Sequence, residues 1–218
     1  MLVIEGLVSA VEVSVMREAA GALSFGDGRA TAGKFARDVK ANDQAMASPE
    51  LDAVLTQVER ALAGNALFRS AARPRAMTRL ILSRYRAGQT YGLHVDDALM
   101  QGLRTDLSFT LFLADPENYD GGALIIEDRF ESRAIKLAAG DLILYPATTL
   151  HRVQEVTRGE RLAVVGWVQS LIRDGGQRDI LFDLDQAVES EFVAHGKSEQ
   201  FDLLAKTRSN LLRLWAET

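Results

Sequence analysis

The sequence predicts an α+β protein in which a β core over residues 76–172 lies between a helical flank at 1–75 and a helical extension at 173–218. Three observations predict it. Two serine-capped amphipathic stretches precede residue 65, short β-like runs separated by glycine turns fill the middle, and a helical apolar period returns after Asp174-Gly175-Gly176. Many short strands at this spacing point to a sandwich, jelly roll or barrel.

Each element has a local signal. Ser9 followed by Glu12 is a capping box that opens a helix of about fourteen residues ending near Gly21. Residues 24–48, which include Phe25-Gly26-Asp27-Gly28 and Thr31-Ala32-Gly33, are polar and show no period. Ser48-Pro49-Glu50 starts a second helix, with serine as N-cap and proline in the first turn. Leu51, Leu55, Val58 and Leu62 mark its apolar face and Gly64 ends it. Strand-like runs follow at Thr78–Arg86, Arg104–Ala114, Gly122–Glu127, Leu142–Tyr145 and Leu162–Val168. Ala87-Gly88, Asp120-Gly121-Gly122, Ala139-Gly140-Asp141 and Arg158-Gly159-Glu160 read as the turns between them. In the extension, Ile180, Leu184, Val188 and Phe192 form one helical stripe, and Phe201, Leu204, Leu211 and Trp215 form another.

Composition narrows the chemistry. A chain of 218 residues suits one sizeable domain, and 47% hydrophobic with 25% charged content is ordinary for a globular protein. The net charge of −5 argues against a general electrostatic binder of nucleic acid. The absence of cysteine excludes disulfides, iron–sulfur clusters, thiolate zinc sites and cysteine nucleophiles. Imidazole and carboxylate remain as strong metal ligands, and the histidines are only His94, His151 and His195. No apolar run reaches the ~20 residues of a membrane span. The opening Met1-Leu2-Val3-Ile4-Glu5-Gly6 has no signal-peptide pattern, so a cytoplasmic location is the expectation.

His94 and Asp96 stand two apart in Tyr91-Gly92-Leu93-His94-Val95-Asp96-Asp97, and a strand would aim both at one atom. His151 lies downstream at the end of Gly140-Asp141-Leu142-Ile143-Leu144-Tyr145-Pro146, where a β core presents residues for a site. Two histidines and one carboxylate make the facial triad of non-haem Fe(II) oxygenases. Asp97 competes as a ligand but would project to the opposite face. Arg161 begins the most apolar strand, and an arginine on its buried face must find an anion, such as a carboxylate-bearing co-substrate. The bland alternatives are a solvated acidic loop around His94, a core histidine at His151 and a surface charge at Arg161. His195 reads as a polar residue at a helix end. Tyr85 and Tyr91 fit either a core or a site, whereas Trp167 and Trp215 read as packing residues. Arg84, Arg86 and Arg104 are either solvated surface or a preference for an anionic substrate.

The run from Arg84 to Asp96 resembles the iron-binding segment of prolyl-4-hydroxylase-like 2-oxoglutarate oxygenases. With Arg104-Thr105-Asp106-Leu107-Ser108, Tyr119-Asp120-Gly121-Gly122, Leu150-His151, Thr157-Arg158-Gly159-Glu160-Arg161 and Trp167-Val168-Gln169-Ser170, the chain resembles bacterial PKHD-type hydroxylases nearly end to end. The resemblance implies a double-stranded β-helix, that is, a jelly-roll core with flanking helices. It implies that His94, Asp96 and His151 bind Fe(II), that Arg161 pairs with the distal carboxylate of 2-oxoglutarate, and that Tyr85 assists. The prolyl-hydroxylase branch has lysine where this chain has Arg161, so the hydrogen bonding there differs. The implied reaction hydroxylates a small-molecule or peptidyl substrate while 2-oxoglutarate and O2 become succinate and CO2. Ascorbate is implied as a reductant, and the helical extension either packs on the core or joins subunits into a homo-oligomer. Two rivals stand beside it. A metal-dependent hydrolase or isomerase on a cupin-like barrel would need no co-substrate arginine, and an iron or oxygen sensor would make no succinate.

Overall fold

Ser9 and Ser48 open the first two helices of the computed structural model, which describes residues 1–31, 33, 36–128 and 130–217. β1 (Leu2–Ile4) precedes α1 (Ala10–Ala22), where the Glu12 carboxylate accepts from the Ser9 N–H at 2.7 Å and completes the capping box. β2 (Phe25–Asp27), β3 (Lys40–Ala41) and β4 (Asp43–Ala45) follow; Ala32, in the polar stretch noted above, lies outside the described residues. α2 (Pro49–Gly64) buries Leu51, Val54, Leu55, Val58 and Leu62, the predicted face. Asn65 then caps α3 (Ala66–Ala72), a short helix the sequence reading does not foresee, before β5 (Pro74–Met77).

Next come β6 (Ile81–Arg86), β7 (Thr90–His94), β8 (Leu99–Met100), β9 (Leu103–Arg104), β10 (Leu107–Phe112) and β11 (Tyr119–Gly121). The core closes with β12 (Leu124–Glu127), β13 (Ser132–Ile135), β14 (Leu142–Pro146), β15 (His151–Val153) and β16 (Val156–Ser170). The extension is α4 (Gly175–His195) and α5 (Glu199–Trp215). No helix among the described residues is long and apolar enough to cross a membrane.

The larger sheet runs β1-β14-β10-β16-β6-β4-β2, with β5 and β11 also paired to β16. The smaller runs β13-β12-β15-β7-β3, and β8 pairs with β9. Every ladder is antiparallel, and neighbours in each sheet are mostly distant in sequence, the topology of a jelly roll. Period-two alternation then sorts the larger sheet. Phe109 turns towards the helices and meets Phe68 of α3 edge-on at 6.0 Å, while Ser108 and Thr110 line the cavity between the sheets. Gly166 is required where β16 passes β10: a Cβ there would come within 2.6 Å of the Phe109 ring.

The flank 1–75 carries strands beside its helices: β1, β2 and β4 join the larger sheet and β3 the smaller. Strands of two or three residues carry no readable period. Two expectations are corrected. Arg158-Gly159-Glu160 is not a turn but part of β16, kinked at Gly159, whose φ is +75° and where a Cβ would lie 2.1 Å from the Asn118 carbonyl oxygen. In α4, Leu181 and Arg178 are buried while Ile180 and Phe192 of the predicted stripe are exposed, because the helix packs on α3 and α5 rather than flat on a sheet.

Candidate functional site

β7 ends at His94, so the loop after it, not the strand, carries Asp96. β15 begins at His151, directly opposite His94 in the β15–β7 ladder. One ligand atom from each of His94, Asp96 and His151 lies within 4.8 Å of the others, close enough to share one ion. His94 Nδ1 is 2.8 Å from the Gly92 carbonyl and His151 Nδ1 is 3.0 Å from the Thr149 carbonyl. A carbonyl only accepts, so each Nδ1 carries the proton and each Nε2 keeps its lone pair for a metal. Burial, and then the neighbouring His151, pushes His94 down to about 4, which keeps it neutral at pH 7. Asp96 Oδ2 accepts from Ser108 Oγ at 2.6 Å, and Oδ1 lies 3.8 Å from His151 Nε2. Two imidazole nitrogens and one carboxylate oxygen, oriented by a second layer of hydrogen bonds, fit a divalent iron.

Arg161 lines the same cavity. It is 2% exposed, its Nε has no hydrogen-bond partner, and no carboxylate pairs with it among the described residues. Tyr85 is directly opposite on β6, with its ring centre 5.3 Å from the guanidinium, and Phe112 is as close on another side. A buried cation held between rings without an anion is poised for one. Burial raises Tyr85 and Tyr145, so both are neutral donors at pH 7. The Tyr145 ring meets His151 edge-on at 5.3 Å.

Lys40 is a second buried cation in this cavity, 8% exposed. Burial pushes it down to about 8 from 10.5, against the opposing pull of Asp96. A lysine whose folded pKa is depressed destabilises the fold below that pKa, and the penalty fades as pH rises towards the unfolded value. Lys40→Met is therefore expected to raise the unfolding free energy by about 1–3 kcal/mol at pH 7. Urea denaturation should show the gain shrinking towards nothing at pH 10.5. A variant less stable than the parent at pH 7 would contradict this.

The structure thus brings together His94, Asp96, His151, Arg161 and Tyr85. Asp97 is exposed and outside the ligand cluster, and His195 is far along α4, paired with Glu191 at 3.2 Å. Trp167, read as packing, lines the cavity instead. Ser108, Tyr145 and Lys40 also line it and are not among the site residues that the sequence predicts. A tyrosine closing the apolar run Leu142-Ile143-Leu144 was a usable signal for the second; two-residue β3 gave none for the third.

Comparison with known proteins gives first the class. The family model of the 2OG-Fe(II) oxygenase superfamily matches residues 80–169. That of the PKHD-type hydroxylase C-terminal domain matches residues 175–217, so α4 and α5 are a family feature. A PKHD-type hydroxylase of Maricaulis maris is 52% identical over 206 residues, covering 94% of each chain. One from Synechococcus elongatus is 49% identical over the full length of both. The chain belongs to the PKHD-type hydroxylases, enzymes of the Fe(II)- and 2-oxoglutarate-dependent oxygenase superfamily. Among solved structures, a prolyl-4-hydroxylase of Pseudomonas putida is 19% identical with a TM-score of 0.55, covering 78% of this chain and 91% of its own, a likeness of fold.

Proposed function

We propose that His94, Asp96 and His151 hold the Fe(II) of this hydroxylase and that Arg161, flanked by Tyr85, holds the distal carboxylate of 2-oxoglutarate. The observation that carries the reading is convergence: three ligand atoms within 4.8 Å of one another share a cavity with a buried arginine that lacks an anion. Bound iron supplies the redox centre at which 2-oxoglutarate and O2 are converted to succinate and CO2 while the substrate is hydroxylated. The protein's part is positional. The Gly92 and Thr149 carbonyls fix both imidazoles with Nε2 free, Ser108 leaves Asp96 Oδ1 for the metal, and the planar guanidinium offers two parallel donors to a carboxylate. Leu124, Val153 and Val165 line the cavity with apolar surface that limits water.

Ser108→Ala removes the hydroxyl that orients Asp96. Iron binding, followed by competition with a chelating dye, is expected to weaken about 10–100-fold. An unchanged affinity would remove Ser108 from the site.

All five proposed iron and 2-oxoglutarate residues fall within 76–172, which supports that segment as the dioxygenase core, with 1–75 and 173–218 packed around it. Half-exposed apolar side chains on α4 and α5 support a homo-oligomer through these helices, and the net charge of −5 speaks against nucleic acid as a partner. We place the enzyme in the cytoplasm, where 2-oxoglutarate is a central metabolite, with ascorbate restoring oxidised iron. The test is succinate formation. Release of succinate from 2-oxoglutarate, dependent on both Fe(II) and O2 and lost in His94→Ala, is the expected result; an iron-loaded protein that releases none would overturn the reading.

A further inference from the structure

Arg84, Arg86 and Arg104, which the sequence offers as receptors for an anionic substrate, are already paired. Their partners are Asp43 at 3.2 Å, Glu160 at 3.3 Å and Asp106 at 2.7 Å. Lys40 has no ion-pair partner among the described residues. Its Nζ donates to Thr31 Oγ1 at 3.2 Å and lies 4.8 Å from the Tyr91 ring centre. One neutral hydroxyl and one ring face do not neutralise a buried ammonium.

Position adds to this. β3 lies beside β7 with Lys40 opposite Tyr91, and Tyr91 stacks on His94 with ring centres 3.6 Å apart. The ammonium is thus one side chain removed from a proposed iron ligand, in the cavity that Arg161 also lines. Charge balance indicates what it awaits. The two charges of iron and the one of Arg161 are offset by Asp96 and the two carboxylates of 2-oxoglutarate. Of the other nearby carboxylates, Asp27 is paired with Arg29 and Asp97 lines the cavity from an exposed position, and neither forms an ion pair with Lys40 among the described residues. Trp167 Nε1 and Asn42 Oδ1, both buried on residues lining this cavity and without hydrogen-bond partners among the described residues, add an unused donor and an unused acceptor.

We propose that Lys40 binds a carboxylate of the prime substrate, and that this substrate is an acid that also carries an amide or a similar donor–acceptor group. The inference rests on the iron and 2-oxoglutarate reading above and names the substrate class for that site.

The test uses N-acetyl-L-amino acids and their matched carboxamides, titrated anaerobically against protein loaded with Fe(II) and 2-oxoglutarate. The visible charge-transfer band of the bound 2-oxoglutarate reports occupancy beside the metal. At least one acid is expected to shift the band, with its amide at least about tenfold weaker and the acid itself at least about tenfold weaker on Lys40→Met. Amides as effective as acids, a Lys40→Met variant that responds like the parent, or a panel in which no acid shifts the band would each overturn the proposal. A second readout needs no iron. The chain has five lysines, so reductive methylation with 13C-formaldehyde gives few signals, and that of Lys40 is identified by its loss in Lys40→Met. It is expected to move with the acids and not with the amides; a signal indifferent to both contradicts the role. Failure of the parent to form any band would instead count against the iron reading, and the lysine signal would then judge Lys40 alone.

Discussion

His151→Ala is expected to weaken Fe(II) binding by more than about 100-fold and to abolish succinate formation, since replacing even a residue that merely orients a metal ligand costs 10–100-fold. In the proposed site, His151 is the ligand that the loop after β7 cannot replace. It comes from the neighbouring strand β15, and its Nε2 approaches Asp96 Oδ1 to 3.8 Å. Asp97 is exposed and His195 lies on α4, so neither can take its place. The fold should survive, because among the described residues the side chain makes one hydrogen bond, to the Thr149 carbonyl, worth about 1 kcal/mol. Circular dichroism beside an iron-binding titration separates the two effects. Iron bound with parental affinity by a folded His151→Ala protein would remove this residue from the metal site.

Arg161→Met is expected to act in opposite directions on binding and on stability. Removing one partner of a buried, hydrogen-bonded charge pair costs about 2–5 kcal/mol, which corresponds to roughly 30-fold to several-thousand-fold in affinity for 2-oxoglutarate. Without the co-substrate the same side chain is a buried cation with no ion-pair partner among the described residues, beside the Tyr85 and Phe112 rings. Methionine fills a similar volume with no charge to desolvate, so the ligand-free variant should be as stable as the parent or more so. Iron affinity should hold, since Arg161 is not a ligand in this account. A variant with parental 2-oxoglutarate affinity would mean that another group holds the distal carboxylate.

The clustering of His94, Asp96 and His151 was legible because the chain offers so few alternatives. With no cysteine and three histidines, a histidine and an aspartate two apart needed only one partner, and the histidine opening a β-core strand supplied it. The reason given by spacing was incomplete: β7 stops at His94, and the loop brings Asp96 round to where Ser108 holds it. Ser108 and Tyr145 were hidden because their inward direction depends on register, and they sit opposite each other across β10 and β14. No local pattern reports such pairing. Lys40 was hidden because its strand has two residues, too few for alternation to show. The caps behaved otherwise. Ser9 with Glu12 and Ser48 with Pro49 act within one helical turn, so their sequence signal is the whole of the physics. The helical stripe of α4 misled because periodicity shows an apolar face without showing what covers it, and α3 and α5 cover a neighbouring one.

The most direct test of the account is anaerobic addition of 2-oxoglutarate to Fe(II)-loaded protein while recording the weak visible charge-transfer band of a chelated 2-keto acid. The expected result is a band in the parent, a titration shifted to much higher 2-oxoglutarate in Arg161→Met, and no band in His151→Ala. A band of full strength in His151→Ala, or none in an iron-loaded parent, would contradict it.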